Sequence, residues 1–115
     1  MKSVMALVKE FADITQQAPN HYLYETLIKE EYIEWSDENE TKENMSNELK
    51  ELADLIYVCY GYANARGWDL DMAIWKVHMN NVGRCRQPDG SILRRHDGKI
   101  IKNKDYPKVD LEDCL

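Results

Sequence analysis

The amino-acid sequence predicts an all-α fold, a four-helix bundle-like core followed by an irregular C-terminal arm. Three observations predict it. Apolar residues recur at helical spacing in four successive segments. Breaks at Pro19-Asn20, in a polar stretch over 36–47, and at Gly67 divide those segments. After Gly83 the helical period stops and turn signals replace it. The expected organisation is a single domain over 1–115, with a helical core over 3–83 and an arm over 84–115.

Each element has its own warrant. Over residues 3–17, Val4, Leu7, Val8, Phe11 and Ile14 mark one helical face. A second helix runs from about His21 to Ser36. The stretch SDENETKENMSN over 36–47 lacks any period and is either a loop or an exposed helical extension. A third helix runs from about Asn47 to Arg66, with Gly67 placed for a left-handed cap. It is apolar on almost every side, which makes it the expected central helix. Asp69 is a candidate cap for a fourth helix, along which Leu70, Ala73, Ile74, Val77 and Asn81 form a stripe that stops near Gly83. Beyond it, Asp89-Gly90 and Asp97-Gly98 signal turns, with short extended pieces at Ser91–Leu93 and Lys99–Lys102.

Composition narrows the function. With 43% hydrophobic residues the chain is globular rather than disordered. No apolar run reaches the ~20 residues of a membrane span, and the start MKSVMALVKEF meets acids too early for a secretory signal. Cys59, Cys85 and Cys114 are odd in number and lack CxxC pairing, so they read as the reduced thiols of a cytoplasmic protein. Residues 1–83 carry 15 acids against 7 Lys/Arg (−8), and residues 84–115 carry 6 acids against 8 Lys/Arg (+2). Such an acidic chain is not built to hold a nucleic-acid polymer, but a basic arm beside acidic helices suits a small polyanion.

Two pairs of acids stand out, Glu31-x-x-Glu34 on the second helix and Glu51-x-x-Asp54 on the third. Each pair has one-turn spacing, so its carboxylates project the same way. Each also continues an apolar stripe: Leu23, Leu27, Glu31, Glu34 in one helix and Glu51, Leu55, Val58, Tyr62 in the next. Carboxylates on a core-facing stripe are costly unless paired or metal-bound. Facing each other, four acids suit a hard divalent cation with oxygen ligands. The same spacing recurs at Glu10/Asp13, Glu34/Asp37, Asp37/Glu40, Glu40/Glu43, Glu48/Glu51 and Asp110/Asp113 in a chain of 21 acids. From the residues alone, a metal site and a solvated acidic surface both remain open.

Other residues carry a plain reading beside a functional one. Glu48 is an extra ligand or an acid favoured by the helix dipole. His78 is a base or phosphate contact or a surface histidine. Trp35 stacks on a base or packs. Tyr57, Tyr60 and Tyr62 belong to the core or to an oligomer interface. Lys99, Lys102 and Lys104 clamp phosphates or are solvated. Other site types fail on residues. Ala18, Trp75 and Leu93 stand three before His21, His78 and His96, which removes the Glu-x-x-His of di-iron bundles. There is no EF-hand loop, P-loop or GxSxG.

The ordered set Glu30-Glu31-x-x-Glu34, Lys50-Glu51-Leu52-Ala53-Asp54-Leu55-Ile56-Tyr57-Val58, Gly67-Trp68-Asp69-Leu70, Val77-His78-x-x-Asn81, Asp97-Gly98-Lys99 and Tyr106-Pro107-x-x-Asp110-Leu111 covers roughly residues 20–111. In that order and spacing the chain resembles the MazG-like, all-α nucleoside triphosphate pyrophosphohydrolases, a superfamily that includes phosphoribosyl-ATP pyrophosphatase and dimeric dUTPase. The order and spacing resemble the short single-domain members common in bacteriophages, which implies a cytoplasmic protein, in the host cytoplasm if phage-encoded.

The resemblance implies hydrolysis of a (deoxy)nucleoside triphosphate to the monophosphate and pyrophosphate. It implies Mg²⁺, or Mn²⁺, on Glu31, Glu34, Glu51 and Asp54, with Glu30 as an outer group or a helper for the attacking water. It implies a homodimer or homotetramer and a purine substrate, dGTP first. Phosphoribosyl-ATP or dUTP hydrolysis is the alternative within enzymes, and a non-catalytic helical adaptor the alternative outside them. Asn81 and Arg84 fall where relatives carry Asn-x-x-Lys; Arg84 keeps the charge but brings fork geometry. The basic arm is expected to fold over the site and bind phosphates through Arg84, Lys99 and Lys102.

Overall fold

The computed structural model of the chain describes residues 1–41 and 44–115, with side chains outside 39–43. It is mostly helical: α1 (Val4–Ile14), α2 (His21–Thr41), α3 (Met45–Arg66) and α4 (Leu70–Arg84) precede β1 (Leu93–Arg94), β2 (Ile100–Ile101) and a terminal turn of tighter helix (Glu112–Cys114). The chain divides into two compact units, Met1–Leu70 and Asp71–Leu115.

In the first unit α3 packs against both α1 and α2, and most extensively against α2. This is the central position its all-round apolar sequence predicts. Ser3 caps α1 by accepting from Ala6 N–H at 3.2 Å, and Asn44 caps α3 by accepting from Asn47 N–H at 3.1 Å. At the other end of α3, Gly67 adopts φ 77°. Its N–H donates to Asn64 O at 3.0 Å and Trp68 N–H donates to Ala63 O at 2.9 Å, closing the helix with a Schellman motif. The core joins Met5 and Val8 of α1 to Tyr60 and Ala63 of α3, with Tyr57 and Leu70 against them.

Helix ends and faces depart from expectation in definite ways. α1 stops at Ile14, three residues before the expected end, because Gln16 turns left-handed (φ 52°) and the Thr15 hydroxyl donates back to Phe11 O at 2.9 Å. Its buried residues are Met5 and Val8, not the whole stripe through Leu7, Phe11 and Ile14, all of which stay exposed. α2 runs on past Ser36 to Thr41, so that part of the polar stretch is helix; residues 42 and 43 lie outside the described residues. Tyr60, read as core or interface, is core at 5% exposure.

In the second unit α4 runs through Gly83 and ends at Arg84, beside the expected stop. A Cβ on Gly83 would lie 2.2 Å from Tyr106 Oη, so the glycine seats the Tyr106 ring. β1 and β2 pair antiparallel, with Leu93 opposite Ile101 and Arg94 opposite Ile100. The expected turns form where Gly90 (φ 86°) and Gly98 (φ 93°) take left-handed backbone. From there the arm returns along α4 in antiparallel sense. Asn103 N–H donates to Arg84 O at 2.8 Å, and Asn80 Nδ2 donates to Pro107 O at 2.9 Å. Farther back, Lys76 pairs with Asp113 beside buried Cys114.

Candidate active site

The four acids of the two one-turn pairs sit on α2 and α3, the two helices with the most extensive mutual packing. One carboxylate oxygen from each of Glu31, Glu51 and Asp54 lies within 4.8 Å of the others. The register is set two turns away, where the Tyr24 ring of α2 lies over Gly61 of α3. Tyr24 precedes Glu31 by seven residues and Gly61 follows Asp54 by seven, so the same antiparallel register brings both contacts about.

Electrostatics mark this group as unsatisfied. Glu31 Oε2 and Glu51 Oε2 are buried without a hydrogen-bond partner. Burial first, then the hydrogen bond and charge of Glu34, then the charges of Asp54 and Glu51, push the Glu31 carboxyl above its ordinary value. Glu34 thus adjoins Glu31 from the exposed side. Clustered carboxylates with orphaned inner oxygens form an all-oxygen donor set, which fits a hard divalent cation. Glu30 is exposed and outside the three-carboxylate group; one residue along a helix turns the side chain about 100° from Glu31.

Sequence reasoning missed Lys50. Its Nζ lies 2.8 Å from Asp54 Oδ2 and 3.5 Å from Glu51 Oε1, and those acids raise its pKa, the hydrogen bond it donates to Asp54 most of all. The signal was present, because Lys50 stands one turn before Asp54 on the same helix.

In the second unit the structure brings together two of the proposed phosphate contacts. Lys102 Nζ donates to Asn81 Oδ1 at 2.9 Å in a half-buried position. One turn on, Arg84 holds a buried Nε without a partner. Lys99 is exposed in the loop between β1 and β2, where its N–H is bound by Asp97 at 3.2 Å. Asp97 in turn pairs with Arg95 and is held below the usual carboxylate range by it. His78 is exposed on α4, and Trp35 packs beside Tyr32 with ring centroids 5.9 Å apart.

No helix among the described residues is long and apolar enough to cross a membrane. No individual curated protein matches the chain at a significant level. A family model does: the one described as phosphoribosyl-ATP pyrophosphohydrolase matches residues 5–81. That match spans more than half of the chain and includes both acid pairs and Asn81, while Arg84 and the arm follow it. With α2, α3 and most of α1 and α4 inside it, the chain belongs to the phosphoribosyl-ATP pyrophosphohydrolase family, within the MazG-like all-α superfamily, and is a nucleotide pyrophosphohydrolase.

Proposed function

We propose that the chain hydrolyses a purine (deoxy)nucleoside triphosphate, dGTP first, to the monophosphate and pyrophosphate. The observation that carries the site is the group of Glu31, Glu51 and Asp54 with its orphaned buried oxygens. Glu31, Glu34, Glu51 and Asp54 would hold Mg²⁺, or Mn²⁺ in its place. Bound there, the cation would neutralise phosphate charge and polarise the scissile centre. Glu30, or Glu34 beside the cluster, would orient the attacking water and accept its proton. The water oxygen joins the α-phosphorus, the bond from that phosphorus to the α–β bridging oxygen breaks, and pyrophosphate leaves with the bridging oxygen.

Asn81, Arg84 and Lys102, with Lys99, are proposed as phosphate-binding groups of the second unit. The unpartnered Arg84 Nε and the half-buried Lys102 support this, because both are donors ready for an anion. The single-domain arrangement over 1–115 and a homodimer or homotetramer belong to the same proposal. Leu7, Phe11, Leu52 and Ile56 of the first unit are large apolar side chains left exposed, which supports self-association.

A second reading, phosphoribosyl-ATP as substrate, is favoured by the description of the matching family. A purine base and a cleaved α–β bridge are common to both readings. Pyrophosphate release from each common ribo- and deoxyribonucleoside triphosphate, with phosphoribosyl-ATP alongside, separates them. Fastest turnover of dGTP supports the first reading. Fastest turnover of phosphoribosyl-ATP replaces it with the second, and no release from any of them removes both.

A further inference from the structure

The acid cluster of the first unit already carries a cation of its own. Lys50 Nζ touches Asp54 at 2.8 Å and lies 3.5 Å from Glu51, and both acids belong to the three-carboxylate group. The Lys50 side chain is 65% exposed and that of Glu51 15%. The ammonium therefore sits on the outer rim, while the inner Oε2 atoms of Glu31 and Glu51 keep no partner. One positive charge is set against the four acids of the cluster, so it offsets their repulsion only in part.

A divalent cation drawn to those inner oxygens brings like charge close to the ammonium and takes up the same carboxylates. Two cations cannot both use Asp54 at full strength, and the lysine, on a flexible and mostly solvated stem, is the one able to leave. We propose that Lys50 is a resident counter-ion of the acid cluster. It steadies the metal-free protein, competes with the divalent cation, and is displaced from Asp54 when that cation binds. Lys50 therefore holds metal affinity below what the carboxylates alone would give and keeps the bound cation exchangeable. This rests on the metal reading given under Proposed function.

The test is calorimetric titration of Mg²⁺ into the full chain, with melting temperatures measured beside it. Lys50→Met keeps the stem and removes the charge. Lys50→Arg keeps the charge. Lys2→Met removes an equal charge from an ammonium that pairs with Glu10 instead. Lys50→Met is expected to bind Mg²⁺ about threefold or more tightly than wild type, with the difference shrinking as salt is raised. Its metal-free melting temperature is expected to fall. Lys50→Arg and Lys2→Met are expected to bind Mg²⁺ as wild type does. Equal or weaker binding in Lys50→Met overturns the role of Lys50 while leaving the metal site standing. A wild-type chain that binds no divalent cation overturns the metal site itself, and the role of Lys50 with it.

Discussion

The ring of Tyr24 occupies the space that a side chain on Gly61 would need: a Cβ built on Gly61 would lie 2.1 Å from Tyr24 Cε1 and 2.7 Å from Cδ1 and Cζ. The far end of that ring is tied, because Tyr24 Oη donates to Gln17 Oε1 at 2.7 Å. The ring cannot swing clear cheaply, so α2 and α3 are held at the separation the glycine permits. Gly61→Ala should therefore destabilise the fold by about 1–3 kcal/mol despite the better helix propensity of alanine. In a Tyr24→Ala background the extra cost should vanish, which urea unfolding of the four proteins of the cycle would show. Because the same register aligns the acids, Gly61→Ala should also weaken Mg²⁺ binding.

The acids themselves should separate from their look-alikes. Glu34→Gln and Asp54→Asn are expected to abolish turnover while the metal-free fold is kept or strengthened, since each removes repulsion within the cluster. Glu10→Gln and Asp113→Asn share the one-turn spacing but pair with Lys2 and Lys76 respectively. They should retain activity and lose at most about 1 kcal/mol of stability. Equal loss of turnover in all four variants would remove the assignment of the motif.

Metal dependence follows from the same crowding. Mg²⁺ or Mn²⁺ should raise the melting temperature and be required for turnover, with EDTA reversing both. Hydrolysis undiminished in EDTA would contradict it.

The pH dependence has a definite sign. Burial, Glu34, Asp54 and Glu51 raise the Glu31 carboxyl above its ordinary 4.5. Between the ordinary value and the raised one, the folded protein holds a proton that the unfolded chain has released. The stability Glu31 contributes is thus complete below the ordinary value and is lost as pH rises through the raised one. Asp97 and Asp113, lowered by Arg95 and Lys76, act in the opposite sense as pH falls. The difference between wild type and Glu31→Gln isolates the Glu31 contribution. Metal-free melting temperatures of the two should lie closest at low pH, with wild type falling below Glu31→Gln as pH rises through the raised value, and Mg²⁺ affinity should rise over that same window.

In the second unit, Lys102→Ala removes a half-buried ammonium that donates to Asn81 Oδ1. Steady-state kinetics should show KM for the triphosphate raised about tenfold, the loss of one charge-assisted phosphate contact, with a small change in melting temperature. An unchanged KM would make the Lys102–Asn81 contact purely structural.

Much of this was legible in the sequence. Helical period located all four helices, and one-turn spacing put Glu31 with Glu34 and Glu51 with Asp54 before any neighbour was known. Period identifies a face but not its partner. It ran the α1 stripe through Leu7 and Phe11, whereas the chain buries Met5 and Val8, because the choice depends on where α3 lies. The seats of Tyr24 on Gly61 and Tyr106 on Gly83 join residues far apart in sequence, which local rules do not reach. Lys50 was legible in principle, since a cation one turn before Asp54 is a local pattern. The pattern alone does not single it out, because an exposed lysine on an acidic helix usually needs no explanation.

The reaction is tested most directly by hydrolysis in water enriched in heavy oxygen, with the products resolved by mass. Attack at the α-phosphorus puts the heavy oxygen into the nucleoside monophosphate and leaves pyrophosphate unlabelled. Label in orthophosphate, with a nucleoside diphosphate as the other product, would mean cleavage at the γ-phosphate and would contradict the reaction assigned to Glu31, Glu34, Glu51 and Asp54.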